Sequence, residues 1–388
     1  MVNLWFTEKD LRYRWSEVKG LFWDELEEWS RLSAKSFLQE ALKAELKSQL
    51  GAGSYERTNK RLDYRNGSYS RDVVWKLGVL TKVSVPRSRE CRYRSEIINR
   101  YRRFGGNFDR HVLRLFTLGL STRRVENFFV SMFGQCGLGA QTVSDIVGRV
   151  RGELASFRQR PLSDEVRYLY LDGIRVTIRG AFQQQQVVLC ALAEYLDGHR
   201  ELIAFRVASS EKAVHWQAFL DDLYRRGLTG RHLKLVIIDG APGLIEAVRT
   251  VYGFTPIQVC WVHRQRNLIK HLRHRSYRKA ICGDAATIFK AASKDQALAQ
   301  LRRFEATWRT REPTAVRAFL KNVDLSLTFY AKPPKTWLRV ASTNMIERQL
   351  REIRRRVRLI DSFRDERSCE TIIYTQIKLL NEKLADGS

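Results

Sequence analysis

A run of five apolar segments between residues 166 and 263 constrains the fold more than any other feature of the chain. "VRYLYLDGIRVTIRG", "QQVVLCALAEY" and "RELIAFRVA" have the composition of strands, and Asp197-Gly198 is a turn signal between the last two. "LKLVIIDG" and "PIQVCWVH" supply a fourth and a fifth strand. Two segments with helical periodicity, "SSEKAVHWQAFLDDLYRRG" and "APGLIEAVRTVYG", separate the last three strands.

The order of these elements is strand-strand-strand-helix-strand-helix-strand, or βββαβαβ. In the longer helix we expect Ser209 or Ser210 as the N-cap and Gly227 at the end. Its apolar stripe consists of Trp216, Phe219, Leu220 and Leu223. Three antiparallel strands that continue into βαβ units predict an α/β fold with a mixed sheet, a ribonuclease-H-like domain.

Two aspartates stand where these strands are most apolar. Asp172 lies inside the first strand, and Asp239 follows "LVII" in the fourth. A buried carboxylate is costly unless a cation or a donor pairs with it. Each aspartate precedes a glycine, and Asp-Gly is also a common turn signal, so a plain turn explains either one alone equally well. Two of them on adjacent strands of one sheet favour a shared role.

A third carboxylate heads the arginine-rich segment "STNMIERQLREIRRRVR", residues 342–358. One face of the predicted helix is apolar, at steps of 4, 3, 4 and 3: Ile346, Leu350, Ile353, Val357 and Ile360. Glu352 has Arg348 and Arg356 four residues away on either side, which explains it as a helix ion pair. Glu347 lies at the rim of the buried face, where it could pair with Arg351 or serve a metal.

Carboxylates on a sheet edge and on a neighbouring helix suit magnesium, which prefers oxygen ligands together with substrate phosphates. Two such ions can activate a water or a DNA 3′-hydroxyl and stabilise the leaving oxygen.

The net charge of +27 also favours a polyanionic partner. We find no apolar run long enough to span a bilayer and no signal-peptide layout, so we expect a soluble cytoplasmic protein. The six cysteines are scattered and predict no disulfide framework.

The N-terminal half differs in character from the strand region. Residues 1–50 have helical periodicity, and "YRNGSYSRDVVWKLGVLTKVSVPRSR" predicts a small basic β-hairpin unit containing Asn66-Gly67. Residues 107–152 predict three helices with a Gly119 stop, a cap at Ser121 or Thr122 and the turn "GQCGLG". This spacing suits a helix-turn-helix, although any three-helix bundle is similar.

These residues together resemble the bacterial insertion-sequence transposases of the mutator type, within the larger DDE superfamily. The resemblance is carried by "YLDGI", "VIIDGAPGL", "CWVHRQRN" and "STNMIERQLREIRRR", and upstream by "YRNGSYSR", "VPRSR" and "GLSTRRVENF". The resemblance covers nearly the full length of the chain. It implies that Asp172, Asp239 and Glu347 are the catalytic, metal-binding triad, which holds two Mg²⁺ (or Mn²⁺) ions. It also implies a helical insertion at 264–340.

The predicted organisation has five parts: an N-terminal helical segment (1–54), a small basic β-containing unit (55–106), a helix-turn-helix DNA-binding domain (107–160), the catalytic domain (161–263 and 341–388) and the helical insertion (264–340). The expected partner is double-stranded DNA, at the terminal inverted repeats and at the target. We expect the protein to be associated with the nucleoid. We also expect a homodimer, because an insertion sequence has two ends to join. The expected dimer contact is the first helix around Leu21, Phe22 and Trp23.

Basic side chains near these motifs are the candidates for DNA contacts: Arg123, Arg124, Arg264, Arg266, Lys270, Arg348, Arg351, Arg354, Arg355 and Arg358. Cys260 and His263 have the spacing of a zinc pair, but no second pair follows at finger spacing. We expect them to support the triad or, for His263, to contact DNA, and a structural role stays open. Two other functions are a catalytically inactive DNA-binding regulator and a nuclease that stops at hydrolysis. All three carboxylates favour the transposase over the regulator, and the helix-turn-helix favours it over the nuclease.

Overall fold

A computed structural model describes residues 15–75, 78–90, 93–98, 108–117, 120, 122–133, 140–179 and 183–386. The chain divides into two compact units, residues 1–116 with 120–147, and residues 117–119 with 148–388. No helix in the described residues is both long and apolar enough to cross a bilayer. The four described cysteines, Cys190, Cys260, Cys282 and Cys369, are free thiols, whereas Cys91 and Cys136 lie outside the described residues.

The first unit is built on a long helix and a β-hairpin. It contains α1 (Trp15–Leu50), β1 (Arg65–Trp75), β2 (Gly78–Ser88), α2 (Phe108–Thr117), α3 (Thr122–Phe133) and the start of α4 (Ala140–Gln159). Neighbouring residues of β1 serve two cores, because successive side chains of a strand point to opposite faces. Val73 packs against Leu42 of α1, whereas Val74 packs against Val112, Phe129 and the other apolar residues of the three helices.

The second unit contains a five-stranded mixed sheet. Its strands are β3 (Val166–Arg179), β4 (Gln183–Tyr195), β5 (Arg200–Ala208), β6 (Leu235–Ile238) and β7 (Ile257–Val259), in the spatial order β5-β4-β3-β6-β7. The first three strands pair antiparallel, and β6 and β7 extend the sheet parallel to β3. The helices α5 (Ala213–Arg225) and α6 (Pro242–Val251) connect β5 to β6 and β6 to β7, which gives the predicted order of elements.

Helices cover both faces of this sheet. Trp216, Phe219, Leu220 and Leu223 of α5 are buried as predicted, in one core with Leu169 and Leu171 of β3. Each such side chain stabilises the fold by about 1.5–3 kcal/mol. On the other face α12 (Asn344–Ile360) packs on β3 and α13 (Glu366–Asp386) packs on β5. Ile346, Leu350, Ile353 and Val357 are the buried residues of α12, in agreement with the predicted stripe.

The segment between β7 and α12 is helical, as expected. It contains α7 (Trp261–Lys270), α8 (Arg278–Phe289), α9 (Lys294–Trp308), α10 (Pro313–Leu320) and α11 (Trp337–Val340), with four short 3₁₀ turns at 275–277, 323–326, 328–331 and 334–336. Pro313 stands in the first turn of α10, where its missing N–H is not needed. Trp308 and Trp337 are both hydrogen-bonded within the protein, to Asp284 and to the carbonyl of Lys332.

Several local predictions were wrong. The helix α5 begins at Ala213 without a side-chain cap, and Ser209 instead hydrogen-bonds His215. Asn66-Gly67 does not form the hairpin turn; Gly67 has φ 66° within β1, at a register shift between Arg65 and Ser68. The fifth strand ends at Val259, so that Cys260 is the N-cap of α7 and His263 lies in its first turn.

Other predictions fall outside the described residues. These are the helical periodicity of residues 1–14, the Gly119 stop, the Ser121 cap, the turn at 134–139 and the side chain of Leu21.

Candidate active site

The two aspartates meet at one edge of the sheet. Tyr170 of β3 pairs with Ile237 of β6 in a parallel register. Asp172 and Asp239 each follow that pair by two residues. Parallel neighbours in register bring their carboxyl ends to the same place, and ligand sites of open α/β sheets lie there. The sequence predicted that the two aspartates lie on adjacent strands, and the structure shows how β3 and β6 are aligned.

Asp172 is a strand residue and not a turn, since β3 continues to Arg179. Its side chain is 10 % exposed and contacts Arg354 of α12. Arg354 donates from Nη2 to Asp172 Oδ2 at 2.8 Å and to the carbonyl of Gly173 at 2.9 Å. Burial raises the pKa of Asp172, Arg354 opposes that rise, and the negative charge of Asp239 adds to it. A buried carboxylate in this setting requires a cation.

Asp239 does stand in a turn. Its Oδ1 accepts a hydrogen bond from the backbone N–H of Ala241 at 2.9 Å, and Gly240 has φ 94°. A Cβ on residue 240 would come within 2.6 Å of Val259 Cγ1, so both the backbone conformation and the space require glycine. The turn and the site are therefore compatible, because the hydrogen bond fixes one oxygen of Asp239 at the sheet edge.

Glu347 lies in the first turn of α12, partly buried between that helix and α7. Thr343 Oγ1 donates to Glu347 Oε1 at 2.6 Å. His263 Nδ1 lies 3.7 Å from Oε1, and Arg266 Nη1 lies 3.5 Å from Oε2. Burial raises the pKa of Glu347, but these three partners outweigh it and the net shift is downward. The partners of Glu347 are therefore on α7 and at the start of its own helix, and not at Arg351.

Cys260 and His263 are part of the same network. Burial raises the pKa of Cys260, but hydrogen bonds with His263 and Thr343 more than offset it and lower the pKa. The bond with Cys260 is the main cause of a raised pKa at His263, which burial opposes. One ligand atom from each of Cys260, His263 and Glu347 lies within 4.8 Å of the other two. The structure thus places Cys260 and His263 beside Glu347, and their support of the triad stays a prediction.

Arg264 corrects one predicted DNA contact. Its side chain is buried and donates to Ser326 Oγ, Phe319 O, Lys321 O and Asn322 O at 2.6–2.9 Å. All these acceptors belong to the segment from α10 to the following 3₁₀ turn. The N–H donors of this guanidinium are thus used within the protein and are not available to a phosphate. A run of basic residues in sequence did not reveal that one of them points inward.

The other predicted DNA contacts are distributed over both units. Exposed basic side chains of the second unit are Arg266, Lys270, Arg348, Arg351, Arg355 and Arg358, whereas Arg354 is partly buried against Asp172. Arg123 and Arg124 are exposed on α3 of the first unit. The structure therefore brings Arg266 and Arg354 to the carboxylates and places the remaining ones on the outer surfaces of their helices.

An open cavity of about 600 Å³ adjoins Asp239. His263, four basic side chains and the turn after Asp239 line it. The basic residues are Arg175, Arg266, Lys270 and Lys321, in addition to the buried Arg264. Asp239 is the one carboxylate among these lining residues, and several cations surround it, which suits a phosphate chain that passes beside a metal site.

Known proteins of similar sequence identify the family of this chain. The sequence profile of the Mutator family of transposases matches residues 16–386. The chain belongs to the Mutator family of transposases. A similar relative is the transposase of the element ISRM5 from Rhizobium meliloti, 31% identical over 87% of this chain and 84% of that one. The transposase of IS905 from Lactococcus lactis is 28% identical over 92% and 90%.

Among solved structures, a chain of the Drosophila P element transposase strand transfer complex covers 72% of this Mutator transposase and 79% of its own length. Its TM-score is 0.26 at 10% identity, which is too low to bear on the fold.

Glu211 is a residue of this transposase that the sequence reasoning missed. It is half-buried just before α5, and a Cβ on residue 173 would come within 2.8 Å of Glu211 Oε1. Its pKa is raised by burial and by Asp239 and Asp172, against Arg175. The predicted strand order did contain a signal for the position of Glu211. Because β4 is antiparallel to both β3 and β5, the chain leaves β5 at the same edge where Asp172 and Asp239 stand.

Proposed function

We propose that this transposase binds the terminal inverted repeats of an insertion sequence and catalyses metal-dependent DNA strand cleavage and strand transfer. Asp172, Asp239 and Glu347 are its DDE triad, and its sheet is of the ribonuclease-H kind. The observation that carries the proposal is the alignment of Asp172, inside β3, with Asp239, just after the parallel strand β6, while the helix of Glu347 packs on β3.

The donor set fits two Mg²⁺ or Mn²⁺ ions. Asp172 and Asp239 offer carboxylate oxygens at one sheet edge, and Glu347 offers its own from the adjoining helix. When bound, such a pair of ions generates a nucleophilic oxygen and stabilises the leaving one. In the protein alone, Arg354 balances the buried charge of Asp172, and His263 and Arg266 balance Glu347. Arg354 opposes the rise that burial causes in the pKa of Asp172, and the partners of Glu347 lower its pKa against burial.

The residues around the cavity beside Asp239 are suited to orient the DNA backbone. Arg175, Arg266, Lys270 and Lys321 lie on its walls, where each can neutralise a phosphate next to the carboxylates. Exposed arginines on the outer side of α12 extend this positive surface within the second unit. We propose that these arginines contribute to the affinity for DNA, because they lie away from the apolar stripe that packs α12 onto β3.

Recognition of the element's ends belongs to the first unit in this proposal. Its helices α2 and α3 share one small core and leave Arg123 and Arg124 exposed on α3. Short helices with exposed arginines suit a helix-turn-helix reader of the major groove. Deletion of residues 107–152 should lower the preference for terminal over random DNA, measured by competition binding. An unchanged preference in a folded protein would place the reader elsewhere.

Glu211 is placed to add a fourth oxygen ligand to the same site. Glycine at position 173 leaves room for the carboxylate of Glu211. The first turn of α6 also packs closely against the start of α5: a Cβ on Gly243 would lie 2.7 Å from Ala213 N. We expect Glu211→Gln to weaken Mn²⁺ binding by the DNA-free protein, counted by electron paramagnetic resonance. Glu246→Gln, on the exposed side of α6, is the matched control. Equal Mn²⁺ binding by both variants would remove Glu211 from the site.

The dimer is proposed to form through α1. The second half of this helix packs on the hairpin through Ala34, Leu38 and Leu42, whereas Trp23 and Trp29 in its first half are 57 % and 54 % exposed. Large exposed apolar side chains in one stretch mark an association surface. Light scattering should show a dimer that Trp23→Ser with Trp29→Ser weakens. A wild-type monomer, both free and bound to end DNA, would contradict this assignment.

The test of the function itself uses DNA that carries the element's own ends. Asp172→Asn, Asp239→Asn and Glu347→Gln should each lower single-turnover cleavage in Mg²⁺ by more than about a thousandfold, because each would remove a metal ligand. Binding measured by electrophoretic mobility shift should persist. Cleavage near the wild-type rate in any variant would remove that residue from the triad. A wild-type protein that binds the ends but never cuts would instead be a regulator.

A further inference from the structure

One group of side chains in the site has a chemistry that the magnesium proposal does not use. Cys260 and His263 are three residues apart at the start of α7, so both side chains leave its first turn toward Glu347. Their sulfur and nitrogen ligand atoms lie within 4.8 Å of each other and of a Glu347 oxygen, the one cluster of this kind in the described residues. Magnesium prefers oxygen ligands, whereas thiolate and imidazole together favour zinc.

We propose that Cys260, His263 and Glu347 form a zinc site, and that zinc bound there inhibits the enzyme by withholding Glu347 from the catalytic magnesium ions. The existence of the zinc site follows from the geometry alone. The inhibition rests on the proposed function, because it requires Glu347 to be a ligand in catalysis.

The separations suit a tetrahedral ion. Zinc bonds of about 2.0–2.3 Å place neighbouring ligand atoms about 3.3–3.8 Å apart. His263 Nδ1 and Glu347 Oε1 are already 3.7 Å apart. The remaining distances lie within the 4.8 Å limit of the cluster, so small side-chain rotations complete the set. Three protein ligands leave a fourth position for a water.

A zinc ion can reach this site from solvent, and the ligands can balance its charge. Cys260 is fully buried, but His263 lines the cavity beside Asp239, and Glu347 is partly exposed. Thiolate and carboxylate would together neutralise the two charges of Zn²⁺. Binding would release the thiol proton to solvent, and the imidazole would bind in its neutral form. Arg266, exposed and 3.5 Å from Glu347 Oε2, can turn away into the cavity.

This site gives Glu347 two alternative uses. With zinc bound, one oxygen of Glu347 is bonded to the zinc beside Cys260 and His263, and it is not available to a magnesium ion at Asp172 and Asp239. High magnesium and an incoming DNA strand would draw it back toward the sheet edge. Zinc and magnesium should therefore compete, although they share a single ligand.

The direct test is a cobalt titration of the metal-free, full-length protein without DNA. Co²⁺ takes zinc sites and gives a thiolate-to-metal charge-transfer absorption. One equivalent should produce this band in wild type and in the control Cys282→Ser, which alters another free thiol of the same unit. The band should vanish in Cys260→Ser and require at least about tenfold more Co²⁺ in His263→Gln. A band that persists in Cys260→Ser, or its absence from wild type, would overturn the site.

The second test measures cleavage at fixed Mg²⁺ with rising Zn²⁺, each protein relative to its own zinc-free rate. Cys260→Ser should need at least about tenfold more zinc for half inhibition than wild type and Cys282→Ser. Raising Mg²⁺ should relieve the inhibition of wild type. Equal zinc sensitivity in Cys260→Ser would overturn the inhibitory role. Because Asp172→Asn should keep the cobalt band while losing cleavage, failure of the zinc site and failure of the proposed function give different results.

Discussion

The helices α7 and α12 are both rich in basic residues and both border the candidate site, yet their charges are used differently. In α7, Arg264 points inward and binds four oxygens of the chain, while Arg266 two residues later points outward to Glu347. In α12, Arg354 reaches the aspartate on β3, and most of the other arginines are exposed. Each helix thus holds a carboxylate that another element supplies.

The difference shows that position relative to the buried face decides what an arginine does. A guanidinium that leaves a helix toward carbonyl oxygens is a structural donor, and one that leaves toward a carboxylate orients that carboxylate. One that leaves toward solvent is free to meet a phosphate. Four predictions test this contrast.

The largest effect is expected inside α7. Arg264→Met should lower the free energy of unfolding by about 3 kcal/mol, because it leaves several buried oxygens of the segment 319–326 without a donor. Arg266→Met, two residues away and exposed, should change it by less than about 0.5 kcal/mol. Chemical denaturation measures both. Equal stability of the two variants would mean that the inward guanidinium has no structural role.

The second prediction concerns α12. Arg354→Gln should slow single-turnover cleavage at saturating protein about a hundredfold, because Asp172 loses the group that orients it. Arg355→Gln, exposed on the same helix, should leave that rate within about twofold and flatten the salt dependence of DNA binding by about one log–log unit. An equal loss of cleavage in the two variants would remove the distinction between orienting and phosphate-binding arginines.

The third effect is smaller and returns to α7. Arg266→Ala should slow cleavage about tenfold, since Glu347 keeps Thr343 and His263 but loses its guanidinium partner. Lys270→Ala removes a charge from the same cavity and should weaken binding more than it slows the saturated rate. Equal slowing by both would indicate a general effect of positive charge and no specific support of Glu347.

The smallest effect is a pH dependence of stability in the metal-free protein. The pKa of His263 is raised by Cys260 and by the nearby Glu347 and Asp239, against burial. A raised pKa in the folded state means that the protonated imidazole stabilises the fold below its unfolded pKa of about 6.5. That contribution is lost as pH rises through the folded value. The difference in unfolding free energy between wild type and His263→Gln, measured in chelator, should therefore shrink from pH 6 upward by no more than about 1 kcal/mol. A difference that grows with pH would contradict the direction of the shift.

Much of the second unit could be predicted from periodicity. The strands β3 to β6 and the buried stripes of α5 and α12 follow from apolar spacing, because a side chain's burial there depends mainly on its own strand or helix. Element ends were less predictable. Cys260 and His263 belong to a helix although they follow a strand pattern, since only three residues of β7 pair with β6. Asn66-Gly67 carries a hairpin signal, but the register of β1 with β2 made it an irregularity within the strand.

The order of strands and helices, the apolar faces and the three carboxylates that the family resemblance singles out could all be read from the amino-acid sequence. This is possible because these are local patterns of residue type. The tertiary structure decided which groups meet: Arg354 with Asp172, Arg266 and His263 with Glu347, and Glu211 with the edge of β3. Those pairings depend on side-chain direction and strand register, which bring together residues far apart in the chain. The use of one arginine for folding and of its neighbour for the site is invisible in a run of like charges.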